Sequence, residues 1–169
     1  MMGKRDFDVE SARNVIAAER AEAIAFYGPD GETATAMLPM LHALQETFGY
    51  VDRAVIPLIA DSLNVSKAEV HGAMTFYHDF KDKPQGAHVL KICRAESCQS
   101  MGAERVVAHL AACGHKADTT SADGRLSIET VYCLGNCALS PAAMLDDELI
   151  GRFDEEAADS VLALAKEGR

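Results

Sequence analysis

The chain has 169 residues, 49% of them hydrophobic and 25% charged, which is typical of a folded protein of one or two domains. Its net charge of −10 is spread evenly, because residues 1–84 and residues 85–169 each carry 8 Lys and Arg against 13 Asp and Glu. Without a basic half or a basic stripe, nucleic acids and anionic membranes are disfavoured as partners. A protein with a basic docking surface fits better.

The N-terminal sequence MMGKRDFDVE lacks the apolar segment of a secretory signal. The longest uncharged apolar stretch, residues 54–60, is far too short to span a bilayer. We therefore expect a cytoplasmic protein without membrane insertion. In a reducing compartment the five cysteines are expected to be metal ligands or free thiols rather than disulfides.

Helical periodicity dominates the first half of the chain. Apolar residues recur at helical spacing in four segments that have clear boundary signals. The breaker Gly28-Pro29-Asp30-Gly31 separates the first two helices, and Gly49 ends the second. Asp52 is expected to cap the third helix, and Ser66-Lys67-Ala68-Glu69 is a capping box that opens the fourth. The predicted helices span about residues 8–26, 34–48, 52–63 and 67–77.

The periodicity changes after the segment KDKPQG at residues 81–86, which has the composition of a linker. This predicts a helical bundle, the docking domain, over residues 1–82 and a second domain over residues 83–169. In the second domain, strands alternate with helices, which indicates an α/β layer sandwich. Strands are predicted at 88–92 and 126–131, a hairpin at 142–145 and 149–153, and helices at 99–112 and after Asp154.

Four cysteines form two pairs, Cys93-x4-Cys98 and Cys133-x3-Cys137, separated by 34 residues. Each pair follows a predicted strand, and two neighbouring strands would bring both loops to one sheet edge. An iron–sulfur cluster takes four cysteine ligands, so these residues predict a [2Fe–2S] site. Donors for its negative charge are expected from the helix that opens at Cys98 and from the turn at Gly135. The residues expected to tune its reduction potential are Arg94, Glu96 and Asn136.

Zinc sites and the remaining kinds of cysteine site fit this spacing less well. Structural zinc usually shows x2 spacings, a [4Fe–4S] site shows tight x2 runs, and a thioredoxin-type redox pair needs Cys-x-x-Cys. Rieske ligation needs two histidines, and four unrelated buried thiols would not explain the paired spacing. Cys113 continues the stripe of Val106 and Leu110, which predicts a buried core thiol. No Gly-x-Gly-x-x-Gly or P-loop is present, so a flavin or nicotinamide site would lie on another chain.

These residues carry a family resemblance. The x4 and x3 cysteine pairs, Gly72-Ala73-Met74-Thr75-Phe76-Tyr77 and Tyr132-Cys133-Leu134-Gly135-Asn136-Cys137 resemble the thioredoxin-like [2Fe–2S] ferredoxins of the complex I 24 kDa subunit type. The resemblance covers roughly residues 34–165. Within that family, the segment CRAESCQS at residues 93–100 is most similar to gamma subunits of NAD-dependent, molybdenum-containing formate dehydrogenases.

The resemblance implies an N-terminal helical bundle followed by a thioredoxin-like α/β domain. It implies a non-catalytic subunit of an NAD-dependent formate dehydrogenase, with one [2Fe–2S] cluster on Cys93, Cys98, Cys133 and Cys137. The implied partners are a flavoprotein subunit with FMN and NAD, which exchanges electrons with the cluster, and a molybdenum-containing large subunit. The same subunit in complex I or in an NAD(P)-linked hydrogenase is the alternative.

A different class of function is a redox-sensing DNA-binding regulator. Residues 54–77 resemble a helix-turn-helix with Asn64-Val65 as the turn. The would-be recognition helix has one Lys, no Arg and a Glu near its start, which is a poor set for reading bases and phosphates. A small bundle that docks a partner protein fits these residues better.

Overall fold

The computed structural model describes residues 6–28 and 33–167. The chain divides into two compact units, Met1–Pro84 and Gln85–Arg169. The division falls inside the segment at residues 81–86 that has the composition of a linker.

The N-terminal unit is helical, and its four predicted helices are all present. A short 3-10 turn at Thr33–Ala36 precedes the second of them. The helices are α1 (Val9–Tyr27), α2 (Met37–Phe48), α3 (Val55–Leu63) and α4 (Lys67–Phe76). Their apolar faces share one core, which includes Met40, Leu41, Leu44, Ile59 and Val70. No helix within residues 6–28 and 33–167 is both long enough and apolar enough to cross a membrane.

The boundary signals in the sequence act at these helix ends. Asp8 accepts hydrogen bonds from the N–H groups of Glu10 and Ser11, which would otherwise lack partners at the start of α1. Ser66 and Glu69 form the predicted reciprocal capping box before α4. Gly49 ends α2 at φ 84°, a left-handed conformation that glycine adopts easily. The breaker residues Pro29, Asp30 and Gly31 lie outside the described residues.

Asp52 lies one turn before the start of α3, and its contribution differs from a simple cap. Its carboxylate accepts a hydrogen bond from Ala54 N–H at 2.8 Å, and its carbonyl accepts one from Val55 N–H. The helix itself begins at Val55, with Ala54 as its capping residue. Asp52 therefore stabilises the turn that leads into the helix.

The C-terminal unit is built on one five-stranded sheet. Its strands are β1 (His88–Cys93), β2 (Thr119–Thr120), β3 (Leu126–Val131), β4 (Ala142–Leu145) and β5 (Glu148–Gly151). They lie in the order β2-β3-β1-β4-β5. The central strands β1 and β3 are parallel, and the other pairs are antiparallel. Together with the helical N-terminal unit, this mixed sheet confirms the predicted fold class.

Helices pack on this sheet to form a second hydrophobic core. The helices of the unit are α5 (Glu96–Ser100), α6 (Ala103–Ala112) and α7 (Glu155–Glu167). Leu90 and Ile92 of β1 belong to the same buried cluster as Val106 and Leu110 of α6. α7 contributes Ala158, Val161, Leu162 and Ala165 to the same cluster, and Phe153 is fully buried in it. α6 and α7 are therefore held beside each other on this sheet.

The structure corrects three sequence-based predictions in this unit. The single helix predicted at 99–112 is two helices, α5 and α6, because Gly102 adopts φ 103° between them. Cys98 consequently lies inside α5 rather than at the start of a helix. Cys113 is exposed rather than buried, because it lies just after the last residue of α6 with its sulfur beside the His109 ring instead of in the core.

The buried position of Phe153 leads to a stability prediction. Phe153→Ala should lower the free energy of unfolding by about 3–5 kcal/mol, because it removes a fully buried aromatic ring and leaves a cavity. Urea unfolding followed by circular dichroism measures this change. Leu149→Ala is the control, since Leu149 is largely exposed and its truncation should cost less than about 1 kcal/mol. Equal losses in both variants would contradict the location of this core.

Candidate metal centre

Two loops that carry the cysteine pairs leave the same edge of the sheet. β1 and β3 are adjacent and parallel, and their register places Cys93 opposite Val131. Arg94 N–H donates to the Val131 carbonyl at 2.9 Å, so the pairing continues to the last residue of β3. Cys133 follows two residues later. The predicted meeting of the two loops at one sheet edge therefore follows from this strand pairing.

The first pair is buried: Cys93 is 2% exposed and Cys98 is 1% exposed. Burial raises the pKa of the Cys93 thiol. Hydrogen bonds to its sulfur from Ala95 N–H, the Cys98 thiol and the N–H groups of Leu134 and Cys133 outweigh this effect and leave the pKa lowered. Three backbone N–H groups from two different loops thus favour a thiolate at Cys93.

The second loop has the backbone conformation that directs these donors. Cys133 adopts φ 87°, a left-handed value that is uncommon for a residue with a side chain, and Gly135 follows at φ 77°. Gly135 N–H lies 3.4 Å from the Cys133 sulfur. The predicted positive φ at Gly135 is present, and the one at Cys133 was not foreseen. This turn wraps amide groups around the sulfurs.

The second pair, Cys133 and Cys137, is exposed. A hydrogen bond with Cys133 raises the pKa of the Cys137 thiol, and the negative charges of Cys133, Cys98 and Cys93 together with desolvation add to the rise. All four cysteines therefore lie within electrostatic reach of one another. Thiols packed in this way resist simultaneous ionisation unless a cation joins them.

Ser140 anchors the end of this loop and was missed by the sequence analysis. It is buried, and its hydroxyl donates to the Cys137 carbonyl at 2.8 Å. The Ser97 hydroxyl lies 2.9 Å from it, and the Cys98 thiol lies 3.6 Å from it. Ser140 therefore links residues from both cysteine pairs. An isolated Ser before a Pro has no sequence signal for such a role.

The arrangement of the sulfurs favours a two-metal site over a single-metal site. The close thiol contacts are Cys93 with Cys98 and Cys133 with Cys137. Among the described residues, no three of these cysteines have sulfurs that all lie within 4.8 Å of one another. A tetrahedral zinc site with metal–sulfur bonds of about 2.3 Å would bring all four to within about 4 Å of one another. Two separate pairs fit the two irons of a binuclear cluster.

Charged and apolar side chains surround the cysteines. Arg94 forms a bidentate ion pair with Glu104 of α6, and both nitrogen–oxygen distances are 2.8 Å. This pair holds the pKa of Glu104 below its ordinary value. Arg94 was expected to tune the reduction potential of the cluster together with Glu96 and Asn136, and in the structure its charge is compensated by Glu104. Tyr132, which precedes Cys133, is 76% exposed, and Leu139 is also exposed.

Comparison with known proteins places the chain in a family. The model of the thioredoxin-like [2Fe–2S] ferredoxin family matches residues 21–166. The HndA subunit of the NADP-reducing hydrogenase of Solidesulfovibrio fructosivorans is 33% identical over 129 residues, which is 75% of each chain. A subunit of the NADH-quinone oxidoreductase of Pseudomonas aeruginosa is 35% identical over 117 residues, which is 69% of this chain and 70% of that protein.

The fold has a counterpart among solved structures. The crystal structure of an air-oxidized NAD+-reducing [NiFe]-hydrogenase contains a region that matches 77% of this chain with a TM-score of 0.65 and 20% identity. The match covers 22% of that longer chain. At this identity the likeness concerns the fold alone.

A thioredoxin-like α/β unit with two cysteine pairs at one sheet edge defines an iron–sulfur electron carrier. The chain belongs to the thioredoxin-like [2Fe–2S] ferredoxin family. Its cofactor is a [2Fe–2S] cluster, as predicted. The relatives named above are subunits of NAD(P)-linked oxidoreductases.

Proposed function

We propose that Cys93, Cys98, Cys133 and Cys137 bind the [2Fe–2S] cluster, with the first pair on one iron and the second pair on the other. The observation that carries this proposal is the meeting of the two close thiol pairs at the end of β1 and β3. The donor set also fits the charge of the cofactor. Amide groups of Ala95, Cys133 and Leu134 point at the Cys93 sulfur, where they stabilise negative charge.

The site suits one-electron transfer to a partner protein. The bound cluster would store a single electron. Buried Cys93 and Cys98 anchor one side, while Cys133 and Cys137 lie at the surface. Exposed Tyr132 and Leu139 add apolar area beside them, which favours contact with another protein. Electrons therefore enter and leave at the exposed side of the loop that carries Cys133 and Cys137.

The partner in this proposal is a flavoprotein subunit that binds FMN and NAD. Two relatives are subunits of an NADP-reducing hydrogenase and an NADH-quinone oxidoreductase, and the sequence has no nucleotide-binding motif of its own. Residues 1–82 form the docking domain in this proposal. The net charge of −10 favours a basic surface on the partner. All five cysteines lie among the described residues and none of them forms a disulfide, which agrees with a reducing, cytoplasmic setting.

The specific complex we propose is an NAD-dependent formate dehydrogenase with a molybdenum-containing large subunit. This assignment rests on the resemblance of CRAESCQS at residues 93–100 to the gamma subunits of those enzymes. A complex I or an NAD(P)-linked hydrogenase is the alternative, and relatives from both kinds of complex support it. The DNA-binding alternative gains no support from α4, since Lys67 is its only Lys or Arg.

The ligand assignment predicts a clear division among the cysteines. Replacing Cys93, Cys98, Cys133 or Cys137 by Ser should remove or distort the cluster, because each change takes away a thiolate ligand. Cys113→Ser should leave it intact, since Cys113 is exposed and lies outside the site. Visible absorption, electron paramagnetic resonance and assays for about two iron and two sulfide per chain measure the outcome. An unchanged cluster in any of the first four variants would contradict the assignment.

The Arg94–Glu104 pair predicts how charge acts on the reduction potential. Arg94→Gln should lower the potential, because reduction adds negative charge to a site that has lost a nearby cation. Glu104→Gln should raise it, and the double variant should return towards the wild-type value. Each shift should be on the order of 20 mV, since the pair is solvent-exposed and screened. This electrostatic coupling would be contradicted if redox titration did not show shifts of the reduction potential in opposite directions for Arg94→Gln and Glu104→Gln.

Purification of the native assembly tests the proposed complex. A tag on this chain should recover a flavoprotein and a molybdenum-containing subunit, and the assembly should reduce NAD+ with formate. The isolated chain should oxidise neither formate nor NADH, because this proposal assigns both of those sites to partner subunits. Recovery with a nickel–iron hydrogenase subunit or with quinone-reducing membrane subunits would replace the formate dehydrogenase assignment by one of its alternatives. Turnover by the pure chain would refute the non-catalytic role.

A further inference from the structure

A second group of metal-ligating side chains lies on the helices of the C-terminal unit. His109 Nε2, the Cys113 sulfur and a carboxylate oxygen of Asp159 all lie within 4.8 Å of one another. It is the one cluster of three or more His, Cys, Asp or Glu donors this close together within residues 6–28 and 33–167. None of the three residues belongs to the cysteine pairs of the iron–sulfur site.

The cluster is built by two adjacent helices. His109 and Cys113 are four residues apart and lie one turn from each other at the end of α6, while Asp159 lies on α7. One turn earlier, Arg105 and Glu155 approach within 3.9 Å. His109 follows Arg105 by four residues on α6, and Asp159 follows Glu155 by four residues on α7. The two helices therefore run in the same direction where they contact each other. The shared core beneath them fixes the spacing of the three donors.

The contacts within the cluster converge on one atom. His109 Nε2 lies 2.7 Å from Asp159 Oδ1 and 4.0 Å from the Cys113 sulfur. In a nucleophilic cysteine triad, the carboxylate and the thiol contact different nitrogens of the histidine ring. Here the Asp159 carboxylate and the Cys113 thiol both lie next to Nε2 of His109, so the geometry does not fit a proton relay. It fits three donor atoms that are arranged to surround one cation.

The chemistry of the donors selects the kind of cation. Thiolate, imidazole and carboxylate are the ligands of Zn²⁺ and of similar borderline ions such as Co²⁺. Bond lengths of about 2.0–2.3 Å to such an ion require donor atoms about 3.3–3.8 Å apart, which small rotamer adjustments provide. Hard ions such as Mg²⁺ and Ca²⁺ prefer oxygen ligands and are disfavoured.

The surroundings also favour a cation. The group lies at the C-terminal end of α6, where the helix dipole presents its negative end. The side chains of His109 and Asp159 are 30% and 59% exposed, so an ion can enter from solvent. With three protein ligands, a tetrahedral ion keeps one position for water or another ligand.

We propose that His109, Cys113 and Asp159 form a surface binding site for one Zn²⁺-like ion that joins α6 to α7. The Cys113 thiol loses its proton to solvent when the sulfur binds, and the Nε2 proton of neutral His109 moves to the other ring nitrogen through solvent. This site is independent of the iron–sulfur cluster and of the complex to which the chain belongs.

Calorimetric titration of the cluster-loaded protein tests the site. Zn²⁺ should bind saturably with a stoichiometry of one ion per chain. The visible absorption of the cluster should stay unchanged up to one added equivalent. His109→Ala, Cys113→Ser and Asp159→Asn should each weaken binding at least about tenfold. Glu156→Gln is the matched control, because it removes the same charge from an exposed position on α7 and should leave the affinity unchanged.

A second readout follows the thiol itself. Zn²⁺ should slow alkylation of Cys113, mapped by mass spectrometry, and this protection should be lost in Asp159→Asn but kept in Glu156→Gln. Loss of protection by a variant that retains its cluster and helical circular dichroism excludes simple unfolding. The proposal is overturned if wild-type protein shows no saturable zinc binding. It is equally overturned if the three variants bind zinc as tightly as the control does.

Discussion

The parallel pairing of β1 with β3 is the constraint on which the proposed iron–sulfur site depends. Its register sets Cys93 opposite Val131, so the loop after each strand starts at the same edge of the sheet. A cluster with four protein ligands from two distant segments needs this kind of fixed starting point, because loops alone lose too much conformational entropy on ordering. The core of α6 and α7 against β1 and β3 holds the pair in place.

Electrostatics shapes the loops that leave this edge. Cys93 is buried, where an isolated thiolate is costly, and backbone N–H groups from Ala95, Cys133 and Leu134 offset that cost. Two of these donors belong to the second loop, which explains why Cys133 accepts a left-handed backbone conformation. The strain is local, and it directs amides towards the sulfurs of both pairs. The second loop thus stabilises negative charge on Cys93, a cysteine of the first pair.

Local patterns in the sequence predicted much of this molecule. The capping box at Ser66 and Glu69, the helix end at Gly49 and the strands before Cys93 and Cys133 all follow from short-range chemistry. The features that were missed depend on contacts between distant residues. The break at Gly102 falls within the helix predicted at 99–112, just before the apolar stripe that begins at Ala103. β2 is two threonines that are fixed by pairing with β3. The Arg94–Glu104 pair and the contacts of Ser140 arise only after folding.

The most direct test of the ligand assignment is an anomalous scattering map of the cluster-loaded protein, collected at the iron absorption edge. We expect two iron peaks at the edge formed by β1 and β3, one bonded to the sulfurs of Cys93 and Cys98 and the other to those of Cys133 and Cys137. A single metal peak shared by all four sulfurs, or iron bound anywhere else on the chain, would contradict this assignment.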